Sequence, residues 1–142
     1  MLKEKRFLSK YKLDNLEKKL ILDKITEILY SKKEIIFSYI YGSFVKEESF
    51  RDIDIAVYIK EDKGFTFESN LSIELTETVR LPVEAKILNS APVSFQINVL
   101  KEGKLLFSRD EEKRTNFIEN VSRKYREYVH FRNIFLGIEG DK

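Results

Sequence analysis

The amino-acid sequence predicts an α+β domain with a small mixed β-sheet flanked by helices. Apolar residues recur at helical spacing in four segments, while four shorter apolar runs have strand length and stop at glycine or polar turns. The two kinds follow the order helix, two strands, helix, strand, helix, strand, helix.

Leu13, Leu16, Leu20, Ile25, Ile28 and Leu29 predict a first amphipathic helix ending before Lys32 and Lys33. Ile35 to Tyr41 reads as a strand stopped by Gly42, and Ile53 to Ile59 as a second bounded by Glu61, Asp62, Lys63 and Gly64. Phe67, Leu71, Leu75 and Val79 share one face of a second helix, with Pro82 closing its exit. Val83 to Leu88 gives the third strand. Pro92 suits the first turn of a short helix carrying Phe95, Val99 and Leu100, with Gly103 as a left-handed stop before a fourth strand, Lys104 to Ser108. Asp110 reads as the N-cap of a last helix bearing Phe117, Val121, Tyr125 and Tyr128, and Gly137 to Lys142 as a frayed tail.

The 142 residues hold no internal repeat, low-complexity stretch or linker, which predicts one domain over 1–142 with a flexible tail at 137–142. A chain of this length buries roughly two thirds of its unfolded surface, enough for a core without disulfides or structural zinc. The absence of cysteine excludes thiolate chemistry and cysteine-ligated metal. No run approaches the ~18 apolar residues of a membrane span, and the charged opening lacks a signal-peptide core, so a cytoplasmic protein without membrane contact is expected. Its 26 basic and 24 acidic side chains leave a net charge of only +2. Direct nucleic-acid binding therefore has no global electrostatic support.

The chemistry concentrates between the first two strands. Gly42 can turn the backbone sharply and admit a polyphosphate to its N–H groups, and Ser43 adds a hydroxyl donor. Asp52 and Asp54, two apart, project from one strand face about 7 Å apart, a span that one or two oxygen-seeking cations can bridge. Aspartate is depleted in strands, so the pair is costly unless neutralised, and magnesium, which takes one or two carboxylates plus substrate phosphates, suits it. Glu84 opens the third strand; if that strand neighbours the second, its carboxylate completes a two-metal arrangement.

These residues, with the following Ile87-Leu88-Asn89-Ser90-Ala91, resemble the minimal nucleotidyltransferases of the DNA polymerase β superfamily, and more closely the MntA-type antitoxins that work with HEPN-domain toxins. The resemblance runs from the first helix through Gly103-Lys104-Leu105-Leu106-Phe107 to Arg109-Asp110. It implies that Gly42 and Ser43 contact nucleotide phosphates, that Asp52 and Asp54 bind metal and act in catalysis, and that Glu84 stands where the family usually has a third aspartate. It also implies two Mg2+ ions, ATP as substrate, a HEPN-domain toxin as partner, and transfer of AMP to a tyrosine hydroxyl that silences a ribonuclease. The chain departs from the pattern at Glu84, one methylene longer, and at Val45-Lys46-Glu47, where many relatives have Arg-Gly. Two alternatives stand beside this reading. One is an antitoxin that blocks its toxin by binding alone, its metal site weakened by Glu84; the other is nucleotidyl transfer to a small molecule, disfavoured because the chain leaves little material for an acceptor domain.

Simpler roles compete for several of these residues. Asp52 and Asp54 alone could form surface ion pairs with Arg51 and nearby lysines, each worth at most ~1 kcal/mol. Glu84 and Lys86 share a strand face and can pair. Lys46 and Arg51 could neutralise a triphosphate or face solvent. His130, the only histidine, is expected to pack or sit at a helix end. Glu119 and Glu127 interleave with Arg123, Lys124, Arg126 and Arg132, which favours a charged helix face over an RNA site. Tyr125, Tyr128, Phe131, Ile134 and Phe135 make that helix apolar towards its end; a packed core face is the default, a partner surface the second reading.

Overall fold

The computed structural model describes residues 10–137. A four-stranded mixed sheet is built from β2 (Ile35–Tyr41), β4 (Ile53–Ile59), β5 (Val83–Ile87) and β6 (Lys104–Ser108), in the order β5-β4-β2-β6. β4 and β5 run parallel; β2 is antiparallel to β4 and β6. The expected α+β class with a small mixed sheet is what forms. Two short strands, β1 (Tyr11–Lys12) and β3 (Ser49–Phe50), pair separately, and α2 (Ser43–Lys46) is a single turn after β2. The long helices are α1 (Asn15–Ser31), α3 (Gly64–Val79), α4 (Val93–Glu102) and α5 (Glu111–Leu136).

Pleating divides the core between two sheet faces. Ile53, Ile55, Val57 and Ile59 of β4, with Val83, Ala85 and Ile87 of β5, pack against Ile25 and Leu29 of α1 and Leu71 and Leu75 of α3. Phe37, Tyr39 and Ala56 belong to the opposite core with Val99 of α4 and Phe117 and Val121 of α5. Phe37 stacks on Tyr58 at 4.7 Å between ring centres, and Phe117 leans against both rings.

An edge strand exposes unpaired N–H groups, and α3 covers that of β5 with side chains one turn apart. Thr76 Oγ1, Ser72 Oγ and Glu68 Oε2 accept from the N–H groups of Val83, Ala85 and Ile87 at 2.8–2.9 Å. The Asn89 amide pairs both ways with the Ile59 backbone, extending the ladder past the end of β4.

Several local expectations need correction. Leu16 is 66% exposed and Leu20 57%, because at about 100° per residue they lie opposite Ile25 and Leu29. Lys18 takes that face instead, donating to the carbonyls of Phe44 and Glu47 at the end of α2. Leu13 precedes the helix, which Asp14 opens with a reciprocal capping box to Glu17. Pro92 is the N-cap of α4 and not part of its first turn, and β5 ends at Ile87. Gly103 is extended, with φ −83° and ψ 175°. Its glycine is required by crowding, since a Cβ would lie 2.6 Å from the carbonyl oxygen of Val99 and 2.9 Å from that of Ile40. The left-handed stops fall at Arg80 and Gly137 instead. Gly137 caps α5, so it is not frayed, and residues 138–142 lie outside the described residues. The end of α5 is also no core face: Phe131, Ile134 and Phe135 are exposed.

Candidate active site

The site lies where β2, β4 and β5 end beside one another. Parallel pairing of β4 with β5 sets Asp54 opposite Glu84, and antiparallel pairing with β2 sets Asp54 opposite Tyr41. Tyr41, Asp54 and Glu84 therefore form one row across three strands. Asp52, just before β4, reaches the same place, so that Asp52, Asp54 and Glu84 each offer a carboxylate oxygen within 4.8 Å of the others. Neighbouring strands do bring Glu84 to the aspartates.

Gly42 closes the row from the other side. It adopts φ +86° and ψ −163°, a conformation glycine alone enters readily, and a Cβ there would collide with Oδ2 of Asp54. It is the N-cap of α2, which Ser43 opens, so the glycine-serine turn abuts the central acid. Phe44 anchors this turn, buried edge-on against Phe50 at 4.8 Å between ring centres. The β1–β3 pair holds Phe50 from behind.

The electrostatics fit a cation site. Burial pushes the Asp54 carboxyl up to about 7, and the charges of Asp52 and Glu84 add to the effect, while Lys86 opposes it. Burial likewise raises the Tyr41 phenol, with Asp54, Glu84 and Asp52 contributing. A half-buried carboxylate crowded by two others is a donor set that a divalent ion relieves and that hydrogen bonds within the protein leave strained. Asp52, Asp54 and Glu84 are thus a suitable oxygen set for magnesium.

The flanks divide differently. Glu84 also pairs with Lys86 at 3.3 Å, so the simpler reading of that pair holds alongside the cluster. Lys46 pairs with Glu102 at 2.9 Å, away from the acids, and Arg51 is exposed. His130 is exposed near the end of α5 against the edge of Phe131. Sequence reasoning missed Tyr41 and Phe95, whose rings meet edge-on at 5.4 Å. Phe95 also lines a cleft of about 500 Å³ with Phe65, Lys86 and Pro92. Only the strand register puts Tyr41 beside the acids; its place at the end of an apolar run gave no signal.

Comparison with known proteins agrees with this geometry. No curated protein matches the sequence. Among solved structures, the MNT antitoxin complexed with a tri-AMPylated HEPN toxin from Shewanella oneidensis superposes with TM-score 0.71 at 21% identity, over 84% of this chain and 96% of that one. A toxin-antitoxin structure with AMP-PNP gives TM-score 0.72 at 22% identity, over 82% and 95%. The MntA-HepT toxin-antitoxin gives 0.70 at 21%, over 84% and 96%. Such likenesses establish the shared fold. The model of the polymerase beta nucleotidyltransferase family matches residues 23–112, which span the four-stranded sheet, the glycine-serine turn and all three acids, and the chain belongs to that family.

Proposed function

We propose that this chain is a cytoplasmic, magnesium-dependent protein adenylyltransferase that transfers AMP from ATP to a tyrosine hydroxyl of a HEPN-domain toxin, acting as the antitoxin. The observation that carries the reading is the meeting of Gly42 with Asp54 inside the Asp52, Asp54, Glu84 cluster. Support comes from structural neighbours that are antitoxins complexed with HEPN toxins, one toxin tri-AMPylated, and from a related complex with AMP-PNP.

In this reading Gly42 and Ser43 receive the triphosphate through the turn's N–H groups and the serine hydroxyl. Asp52, Asp54 and Glu84 would hold two magnesium ions, which would neutralise phosphate charge and acidify the acceptor hydroxyl. The phenol oxygen of the acceptor forms a bond to the α-phosphorus of ATP while the bond from that phosphorus to the bridging oxygen breaks. Pyrophosphate leaves, and the phenol proton passes to Glu84 or to water. The whole of 1–142 acts as one catalytic domain.

A second reading, inhibition by binding alone, draws on one observation. Glu84 is half-exposed and tied to Lys86, a weaker third ligand than a buried aspartate. Incubating the protein with magnesium, α-labelled ATP and the HEPN protein separates the two. Label on a partner tyrosine, absent with Asp54→Asn, supports transfer; toxin inhibition without label that survives Asp54→Asn would replace it with the binding-only reading.

A further inference from the structure

The last three turns of α5 carry an apolar stripe that nothing among the described residues covers. Phe117 and Val121 bury one side of the helix against the sheet. At about 100° per residue Tyr128 and Phe135 fall within about 40° of them, so the stripe that holds α5 to the domain continues along its projecting half. There Tyr128, Phe131, Phe135 and Leu136 are 46, 59, 83 and 65% exposed. At ~200 Å² for a full side chain this is roughly 500 Å² of apolar surface, the upper range for a lone monomer and most of the ~800 Å² that one side of a stable interface buries. Gly137 ends the helix in a closed left-handed cap, so the stripe is presented on a finished helix.

Charge chooses between occupants. Residues 122–137 contain Arg123, Lys124, Arg126 and Arg132 against Glu127, four cations to one anion, a local +3 in a chain whose total is +2. Lys124 and Arg132 border the stripe four residues either side of Tyr128. Antiparallel pairing with a second copy centred on Tyr128 would face Lys124 with Arg132, and parallel pairing would face each with itself. Both are repulsive, whereas a protein surface with an apolar centre and an acidic rim is complementary.

We infer that the projecting half of α5, centred on Tyr128, Phe131 and Phe135, is the docking surface for the HEPN partner, whose complementary patch is apolar with acidic residues facing Lys124 and Arg132. This rests on the proposed function. It adds a contact outside the carboxylate site that holds the partner before and after transfer.

The test uses the full chain with Phe131→Glu and Phe135→Glu combined. Both side chains are exposed, so the helical circular dichroism should match wild type, and AMP-PNP binding with magnesium should be unchanged. Binding to the HEPN protein by calorimetry should weaken at least about tenfold. Lys124→Glu with Arg132→Glu should weaken it too, and should reduce its dependence on salt. Wild-type affinity in the phenylalanine double variant, with wild type itself binding the HEPN protein, overturns the docking surface and leaves the proposed function standing. No binding of the HEPN protein by wild type overturns both. A wild-type dimer in sedimentation that the double variant abolishes would assign the stripe to a second copy. Wild-type binding to anionic phosphatidylserine vesicles that the variant loses, with HEPN affinity unchanged, would assign it to a membrane surface.

Discussion

Replacing Asp54 with asparagine should make the metal-free protein more stable while destroying its activity, and the gain should depend on pH in a defined way. Asp54 titrates at about 7 in the folded chain against an ordinary 3.8, because burial and the charges of Asp52 and Glu84 disfavour its ionised form. A raised folded value means that the folded state holds the proton more tightly. The associated stability is fully present below about pH 3.8 and is lost as pH rises through about 7. The rise from 3.8 to about 7 corresponds to ~4 kcal/mol, and solvent screening of a half-exposed group reduces this to ~2 kcal/mol. With ~2.1 cal/mol/K per residue over 142 residues, that is a rise of roughly 7 °C in Tm. The assay is thermal unfolding of wild type and Asp54→Asn in EDTA from pH 3.5 to 8.5. The two should coincide near pH 3.5, diverge between 4 and 7, and differ by a constant amount above 7. Millimolar magnesium should raise the wild-type Tm and leave the variant almost unmoved, since an ion bound only to the folded state stabilises by mass action. Equal melting temperatures at pH 8 in EDTA would show that the three carboxylates do not strain one another, and the metal-site argument would lose its physical basis.

On the proposed function, Asp52→Asn and Asp54→Asn should each lower AMP transfer at least about a hundredfold with unchanged circular dichroism, because that reading assigns the pair to a cation and not to the core. Retained transfer in both would misplace the site. Gly42→Ala should cost ~2 kcal/mol through its positive φ and the collision with Asp54, and should also abolish AMP-PNP binding by calorimetry. Ser72→Ala strips the acceptor from the Ala85 N–H and should cost ~1–2 kcal/mol in urea unfolding; a value near zero would mean that water replaces the hydroxyl without penalty. Phe117→Ala removes the ring packed against Phe37 and Tyr58 and should cost ~3 kcal/mol by the same measurement.

The proposed site residues were legible in the sequence where their signal was local. Gly42-Ser43 interrupts an apolar strand, and two aspartates open the next; both are anomalies visible within a few residues. Glu84 was legible only by supposing that its strand lies beside β4, and the Asp54–Glu84 register supplies that link. Tyr41 and Phe95 were hidden because an aromatic at the end of an apolar run looks like core until the strand pairing and the approach of α4 are known. The two-residue strands β1 and β3 and the single turn α2 are shorter than any periodic signal. At the ends of the long helices, periodicity misled. Leu16 and Leu20 match a 3–4 spacing among themselves yet lie on the wrong side of α1, and a half-buried lysine with a long apolar stem covers the aromatic side instead. At the end of α5, Tyr128 and Phe135 keep the core period of Phe117 and Val121 and are nevertheless exposed.

The acids occupy the place on the sheet where a costly charge can be held still. Along β4 one face carries Tyr58, Ala56 and Asp54 in succession, and along β2 the residues opposite are Phe37, Tyr39 and Tyr41. The first rows are fixed by stacked rings against Phe117 of α5; the last meets α4 through the Tyr41–Phe95 contact and leaves Asp54 half in contact with water. Moving the acids one row inward would bury them beside Phe37 and Tyr39, where no ion with its shell of phosphate and water oxygens could follow. One row outward all three would stand where Asp52 does, before the ladder begins, with positions set by the loop and not by strand register. Magnesium accepts little deviation from octahedral geometry, so two carboxylates anchored to paired strands, Asp54 and Glu84, and open on one side suit it better than either alternative. Burial and the paired backbone act together on Asp54: desolvation raises its carboxyl first, and β4 and β5 hold it opposite Glu84, whose charge adds to the effect.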